Sequence, residues 1–175
     1  MRELRQRKRN RWAGYDYSRN GAYFVTICVK DRHELLGRII CDAAAPVGAR
    51  IARPSLSETG KVVQEAILNI SKNYPLVSVD CFVIMPNHIH MILRIRADSS
   101  GRAMRAPTIS TVINQMKGWI TKRIGFSIWQ KLFHDHIIRN ADDYNRIAEY
   151  IQNNPTNWED DCLYGEEETN GNLNP

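Results

Sequence analysis

The sequence predicts an α+β domain with the order β-α-β-β-α-β and an additional C-terminal helix. Three observations carry that prediction. Two long segments repeat apolar residues at helical spacing, several short runs are β-branched and aromatic, and a Pro-Asn pair turns one such run into the next. In chain order, residues 23–30 (YFVTICVK) form the first strand, and residues 35–40 read as a small hairpin around Gly37. Residues 42–54, rich in Ala, Pro and Arg, read as a loop. Ser57 is placed to N-cap a helix through Val62, Val63, Ala66, Ile67 and Ile70. Residues 77–85 are the next strand, turned by Pro86-Asn87 into a strand that begins at His88, and residues 97–107 are a second loop. Ile109, Val112, Ile113, Met116, Ile120 and Ile124 define the second helix, with Lys117, Lys122 and Arg123 on its other faces. Residues 133–139 are a last strand. Tyr144, Ile147, Ala148 and Ile151 then give residues 141–154 a helical apolar stripe, which Pro155 stops. That order is the one found in ferredoxin-like folds.

The strand Met85-Pro86-Asn87-His88-Ile89-His90-Met91-Ile92-Leu93 carries the chemistry. Side chains alternate along a strand, so Ile89, Met91, Leu93 and Ile95 face a core while His88, His90, Ile92, Arg94 and Arg96 face the other way. Two neutral imidazoles on one face can share a metal ion, and the neighbouring guanidinium groups suit phosphate. On the last helix Tyr150 lies off the apolar stripe, and Asn154, four residues on, stands one turn away on the same side. His134-Asp135-His136 repeats the His-x-His spacing with an acid at its centre, and reads as a surface or DNA-contacting strand.

His88-Ile89-His90 together with Tyr150-Ile151-Gln152-Asn153-Asn154-Pro155 resembles the single-tyrosine HUH transposases, in particular the REP-associated tyrosine transposase group. Tyr15-Asp16-Tyr17-Ser18, Gly21-Ala22-Tyr23-Phe24-Val25-Thr26-Ile27, Trp129-Gln130 and His136-Ile137-Ile138-Arg139-Asn140 follow the family's order, so the resemblance spans residues 9–158. It implies that Tyr150 is the nucleophile, that His88 and His90 are metal ligands, and that Asn154 is the third ligand, where insertion-sequence members carry Gln. Gln152 and Asn153 compete for that third role, and only the four-residue spacing of Asn154 matches the family pattern. The implied activity is cleavage and rejoining of single-stranded DNA near a hairpin through a 5′-phosphotyrosine that leaves a 3′ hydroxyl. The resemblance also implies Mg2+ or Mn2+, whereas the affinity order of divalent ions for such donors favours zinc. Both a monomer and a homodimer are consistent with the family.

The residue chemistry agrees with that assignment. A phenol has an ordinary pKa of about 10, so attack on phosphorus needs a neighbour that draws charge from the phosphate and aligns the reacting atoms. Three protein ligands leave open positions for a phosphate oxygen and water, as a catalytic site requires. A covalent phosphotyrosine conserves the bond energy for rejoining without ATP.

Charge points to a nucleic-acid partner. The net charge is +5, with six Lys or Arg and one acid in the first eleven residues, and six acids and no base in the last seventeen. The expected organisation is a basic arm over residues 1–14, the transposase domain over 15–158, and an acidic, disordered tail over 159–175. Candidate DNA contacts are Arg94, Arg96, Lys117, His136, Arg139 and Asn140, with Trp12, Tyr15, Tyr17, Trp119 and Trp129 as stacking candidates and Arg50, Arg53, Arg102 and Arg105 in the loops. No apolar run reaches the roughly 20 residues of a membrane span, and no secretory signal is evident, so the expected location is cytoplasmic and nucleoid-associated. Cys28, Cys41, Cys81 and Cys162 are scattered, which suggests free thiols rather than a zinc ribbon or disulfide framework. No small-molecule cofactor is expected. Three rival readings are a non-catalytic single-stranded nucleic-acid-binding module on an RRM-like sheet, a rolling-circle-type nickase, and a small phosphate-ester hydrolase using Asp80 or Asp98.

Overall fold

A computed structural model describes Asp16 and residues 19–41, 52–96 and 107–164 of the chain. The basic arm, the aromatics Trp12, Tyr15 and Tyr17, the loop arginines Arg50, Arg102 and Arg105, Asp98 and residues 165–175 lie outside the described residues.

Among the described residues six strands and four α-helices follow one another as β1 (Gly21–Cys28), β2 (Gly37–Cys41), β3 (Ala52–Leu56), α1 (Glu58–Leu68), α2 (Ile70–Asn73), β4 (Val77–Ile84), β5 (His88–Ile95), α3 (Ile109–Ile124), β6 (His134–Ile138) and α4 (Ala141–Asn153). The main sheet has the order β4-β5-β1-β6, with every neighbouring pair antiparallel. With the β2–β3 ribbon set aside, this is the ferredoxin-like α+β arrangement. The ribbon is a correction to the expected hairpin at Gly37 and loop over residues 42–54. Gly37 instead opens β2, and β3 is drawn from the end of the supposed loop, with Ile39 opposite Pro54. Proline is tolerated in β3 because a two-stranded ribbon leaves each strand one unpaired edge. Gly37 sits at φ 150°, and a Cβ there would lie 2.3 Å from the Ser55 carbonyl oxygen, so glycine is required.

Side chains at the helix ends explain the helix boundaries. Ser57 accepts from the Gly60 N–H at 3.0 Å to start α1, and Thr108 accepts from the Thr111 N–H at 3.2 Å to start α3. Gly125, at φ 89°, closes α3 in the left-handed conformation. Asn140 accepts from the Asp143 N–H at 2.8 Å to start α4, where Asp142 and Asp143 face the positive end of the helix dipole.

The sheet is covered on both faces. Tyr23, Val25, Ile27, Ile89, Met91, Leu93 and Ile95 pack with Val63 and Ile67 of α1 and Val112, Ile113, Met116 and Ile120 of α3. On the other face Ile147 and Ile151 of α4 pack with Ala22, Val83, Met85, Ile92 and Trp158. Burying each such aliphatic side chain contributes about 1.5–3 kcal/mol, so the stripe of α4 holds that helix over β4 and β5. Among the described residues no helix is long and apolar enough to cross a membrane.

One expected DNA contact, Lys117, has a structural role instead, and a second, Arg94, has a carboxylate partner within the fold. Lys117 is buried, and its Nζ donates to the carbonyls of Gln130 at 3.0 Å and Leu132 at 3.4 Å. Burial lowers its pKa to about 8. It fastens the α3–β6 connection rather than facing nucleic acid, because its helical position falls on the core side. Arg94 is tied to Asp80, which occupies the irregularity in the β4–β5 register. The Nε donates at 2.8 Å, the second guanidinium contact is 2.6 Å, and the guanidinium lies over the Tyr144 ring. The same pairing occupies Asp80, the candidate acid of a phosphate-ester hydrolase.

Candidate active site

His88 and His90 enter the site because β5 is a central strand and α4 covers its outer face. His88 lies opposite Cys28 and His90 opposite Thr26, and both histidines are buried. Their ring centroids are 4.4 Å apart. Trp158 packs against His88 at 5.7 Å, and Phe24 stacks on His90 at 5.3 Å.

The tautomer of His88 follows from a chain of hydrogen bonds. The Leu163 carbonyl can only accept, so the Asn87 Nδ2 faces it, donating at 2.8 Å. That turns Asn87 Oδ1 toward His88 Nδ1, also at 2.8 Å. An amide oxygen can only accept, so His88 Nδ1 carries the proton and His88 Nε2 presents a lone pair. The Nε2 atom is buried with no hydrogen-bond partner. His90 Nδ1 is held by Thr26 Oγ1 at 2.8 Å, which leaves its Nε2 facing Tyr150. Burial pushes the pKa of His88 down to about 4 and that of His90 to about 3, so both rings are neutral at neutral pH.

Tyr150 and Asn154 project from one side of α4. The Tyr150 hydroxyl lies 3.3 Å from His90 Nε2 and 3.2 Å from Asp161 Oδ2. Burial, reinforced by the Asp161 carboxylate, pushes the Tyr150 pKa up to about 12. Asn154, only 2% exposed, donates from Nδ2 to Asp161 Oδ2 at 2.7 Å. Its Oδ1 is therefore turned away from Asp161, buried and without a partner. The competing Gln152 and Asn153 are exposed.

Asp161 is the residue that the sequence reading missed, because composition places it at the head of an acidic tail. The chain from Trp158 to Tyr164 instead folds back over the histidines, with the Trp158 and Tyr164 rings 5.3 Å apart. One ligand atom each from His88, His90 and Asp161 lies within 4.8 Å of the others. Burial raises the Asp161 pKa, but the Leu163 N–H, the Asn154 amide and the histidine rings outweigh it and hold the carboxyl below its ordinary value. Asn87 and Thr26 were missed too; only the turn signal of Pro86-Asn87 marked Asn87 as unusual.

The donor set fits a divalent cation. Two neutral imidazoles and an ionised carboxylate converge, with the His88 Nε2 lone pair buried and without a partner, and a cation satisfies such a set where a buried unpaired acceptor is otherwise costly. Beside them opens a cleft of about 380 Å3, whose walls include Phe24, Arg32, Gln130, His134 and Tyr150. Of the other expected contacts, Arg96 and Arg139 are exposed, Asn140 is the α4 cap, and His136 pairs with Asp143 at 2.8 Å.

No family model matches the chain. An uncharacterized protein of Haemophilus influenzae is 34% identical over 180 residues, covering 92% of this chain and 94% of the relative. A REP-associated tyrosine transposase of Escherichia coli is 24% identical over 79% of this chain and 68% of its own length. A second Haemophilus influenzae relative, which carries the name "Putative REP-associated tyrosine transposase", is 22% identical over 80% of this chain and 73% of its own length. Among solved structures, that of a REP-associated tyrosine transposase bound to a REP hairpin superposes with a TM-score of 0.58 at 21% identity, covering 90% of this chain and 74% of that one. This likeness is one of fold. The chain is thus similar in sequence to proteins named REP-associated tyrosine transposases, and His88-Ile89-His90 and Tyr150, which carry that resemblance, are gathered at one site.

Proposed function

We propose that this protein is a metal-dependent strand transferase that cuts and rejoins single-stranded DNA beside a hairpin. Tyr150 is the nucleophile, and His88, His90, Asn154 and Asp161 hold Mg2+ or Mn2+. The observation that carries the reading is the approach of the Tyr150 hydroxyl to His90 Nε2, beside the partnerless His88 Nε2 and Asn154 Oδ1. A divalent ion bound there would draw charge from the scissile phosphate. The relative bound to a REP hairpin supports hairpin DNA as the substrate class.

The chain's own residues set the conditions for the step. With a pKa of about 12, the Tyr150 hydroxyl keeps its proton at neutral pH, so nucleophile formation is confined to the assembled complex. As Tyr150 Oη bonds to phosphorus, the P–O3′ bond breaks and the phenol's proton ends on the 3′ oxygen. Asp161 Oδ2, 3.2 Å from the hydroxyl, is positioned to hold that proton in transit. Thr26 and Asn87 keep the two imidazoles fixed, and α4 fixes the angle of Tyr150. In this reading residues 15–158 form the transposase domain, and residues 159–164 complete its site. Arg96, His136, Arg139 and Asn140 supply outer DNA contacts.

The test is incubation of the purified protein with end-labelled hairpin DNA carrying an unpaired flank, in Mg2+ or Mn2+, followed by a denaturing gel. A protein–DNA adduct that is absent in Tyr150→Phe and after chelation is the expected result. Binding with no adduct across a broad hairpin panel sinks the reading and leaves a single-strand binding module.

A further inference from the structure

The connection between β1 and β2 contains a turn that its sequence fits poorly. Asp31 and Arg32 have φ of 55° and 59°, and the His33 N–H donates to the Lys30 carbonyl at 3.4 Å. Two successive left-handed residues between such a pair make a turn of the I′ kind, which takes Asn or Asp first and Gly second. Asp31 meets that preference, whereas Arg32 occupies the glycine position with a strained Cβ. Backbone strain of this kind persists where the surroundings enforce it, and it gathers at ligand clamps.

The surroundings here do enforce it. The Val29 N–H donates to the Asn87 carbonyl at 2.8 Å, the Lys30 N–H to the Ile128 carbonyl at 2.7 Å, and the Leu36 N–H to the Pro86 carbonyl at 2.9 Å. The turn is thus fastened to the segment that launches His88. Its arginine lines the cleft that Tyr150, His90 and His134 also line, and it is the one permanently cationic side chain among the described residues of that lining. Among the described residues the guanidinium has a single hydrogen bond, donating to the Cys162 carbonyl at 3.2 Å, one residue beyond Asp161. A planar fork with further donors free is matched to a phosphodiester, which accepts two parallel hydrogen bonds.

We propose that Arg32 is a substrate-binding residue of the cleft, clamping a backbone phosphate adjoining the one that Tyr150 attacks. The turn accepts a non-glycine residue because its side chain is needed at that point. This inference rests on the strand-transfer reading and adds to it the residue that sets the position of the unpaired strand. Its logic separates fold from function, since at a left-handed position Arg32→Gly removes strain and charge together. A residue kept for structure and a residue kept for DNA then predict opposite outcomes.

The experiment uses the full chain carrying Tyr150→Phe, so that cleavage cannot distort binding, and a fluorescent hairpin oligonucleotide with an unpaired flank. Affinity is measured by anisotropy over a salt series, and Tm is measured alongside. Arg32→Gly is expected to bind roughly tenfold more weakly, with a log–log salt slope shallower by about 0.7 and a Tm equal to or above the parent's. Arg32→Lys is expected to keep the slope and recover only part of the affinity. Unchanged affinity and slope in Arg32→Gly overturns the proposal. So does weaker binding accompanied by a fall in Tm with no change in slope, which marks a folding role. The covalent step is scored separately in protein with Tyr150 intact, so a missing adduct counts against strand transfer and leaves the Arg32 result standing.

Discussion

His88-Ile89-His90 and His134-Asp135-His136 have the same spacing and lie on the same sheet face, on opposite sides of β1, yet only one of them builds a donor cluster. Thr26 is the hinge of the comparison, because it is registered with His90 on one side and His134 on the other. The β5 pair is buried, whereas His134 and His136 are exposed. Position in the sheet makes the difference. β5 is central, and α4 with the Trp158–Tyr164 segment covers its outer face, while β6 is an edge strand whose two histidines stay exposed, α4 reaching His136 only through Asp143. The middle residues agree, since Ile89 is fully buried in the core and Asp135 only half-buried. Two histidines at alternate positions become a metal-site candidate when something covers them, removes water and, as at His88 Nε2, leaves a lone pair without a partner.

The largest effect should come from breaking the covered pair. His88→Ala and His90→Ala are each expected to weaken Mn2+ binding by more than about 100-fold, because each removes a ligand rather than its support. His134→Ala and His136→Ala should leave it within about threefold. Calorimetric titration of the four variants reads the contrast directly. Equal losses at both strands would remove the assignment of the site to β5.

A sharper form of the comparison asks what holds the rings. Asn87 fixes the His88 tautomer through two hydrogen bonds, whereas the exposed His136 ring of β6 is held by the Asp143 carboxylate at 2.8 Å. Asn87→Ala is expected to weaken Mn2+ binding about 10–100-fold and to cost about 1–3 kcal/mol of stability by leaving the Leu163 carbonyl and the His88 ring without partners. A variant with unchanged affinity would show that the packing of Trp158 on His88 is sufficient by itself.

Local sequence rules carried most of the fold and half of the site. The helix at Ile109–Ile124 coincides with its apolar period, and Ser57 caps α1 as its residue type demands. Strand alternation alone places His88 opposite in facing to Ile89, because a two-residue period needs no tertiary information. What was hidden depends on distant partners. Pro54 reads as a loop residue until the free edge of a ribbon is known. Lys117 reads as a surface cation until the carbonyls of Gln130 and Leu132 are seen around it. Asp161 is indistinguishable from Glu159 and Asp160 by composition, and only the return of the chain at Trp158 brings it to Tyr150. The acidic run itself concealed a carboxylate that reaches the two histidines.

Acid should distinguish the two histidine pairs with a smaller signal. In chelator-treated protein the folded-state pKa values of about 4 for His88 and about 3 for His90 lie below the ordinary 6.5. Between those limits the unfolded chain binds protons that the folded chain refuses, so stability falls as pH drops from about 6.5 toward 4. Urea unfolding across that range should show the fall, and His90→Gln should reduce it by removing one of the two titrating groups. A profile unaltered by the substitution would assign the acid sensitivity to other groups.

The smallest effect belongs to the exposed pair, and its smallness is the point. His136 accounts for the largest share of the lowering of the Asp143 pKa, and Arg146 contributes a second contact to the same carboxylate. A carboxyl lowered in the folded state adds stability above its ordinary pKa and loses it as pH falls through the lowered value. The pair is solvent-exposed and Arg146 remains, so His136→Ala should leave the neutral-pH Tm unchanged within error. Its expected trace is a slightly earlier onset of acid unfolding, which belongs to Asp143 at the start of α4 and not to the buried histidine pair. If His136→Ala instead lowered Mn2+ loading in the absence of DNA while Tm held, β6 would have to reach the metal site. The cover that separates the two histidine pairs would then be incomplete.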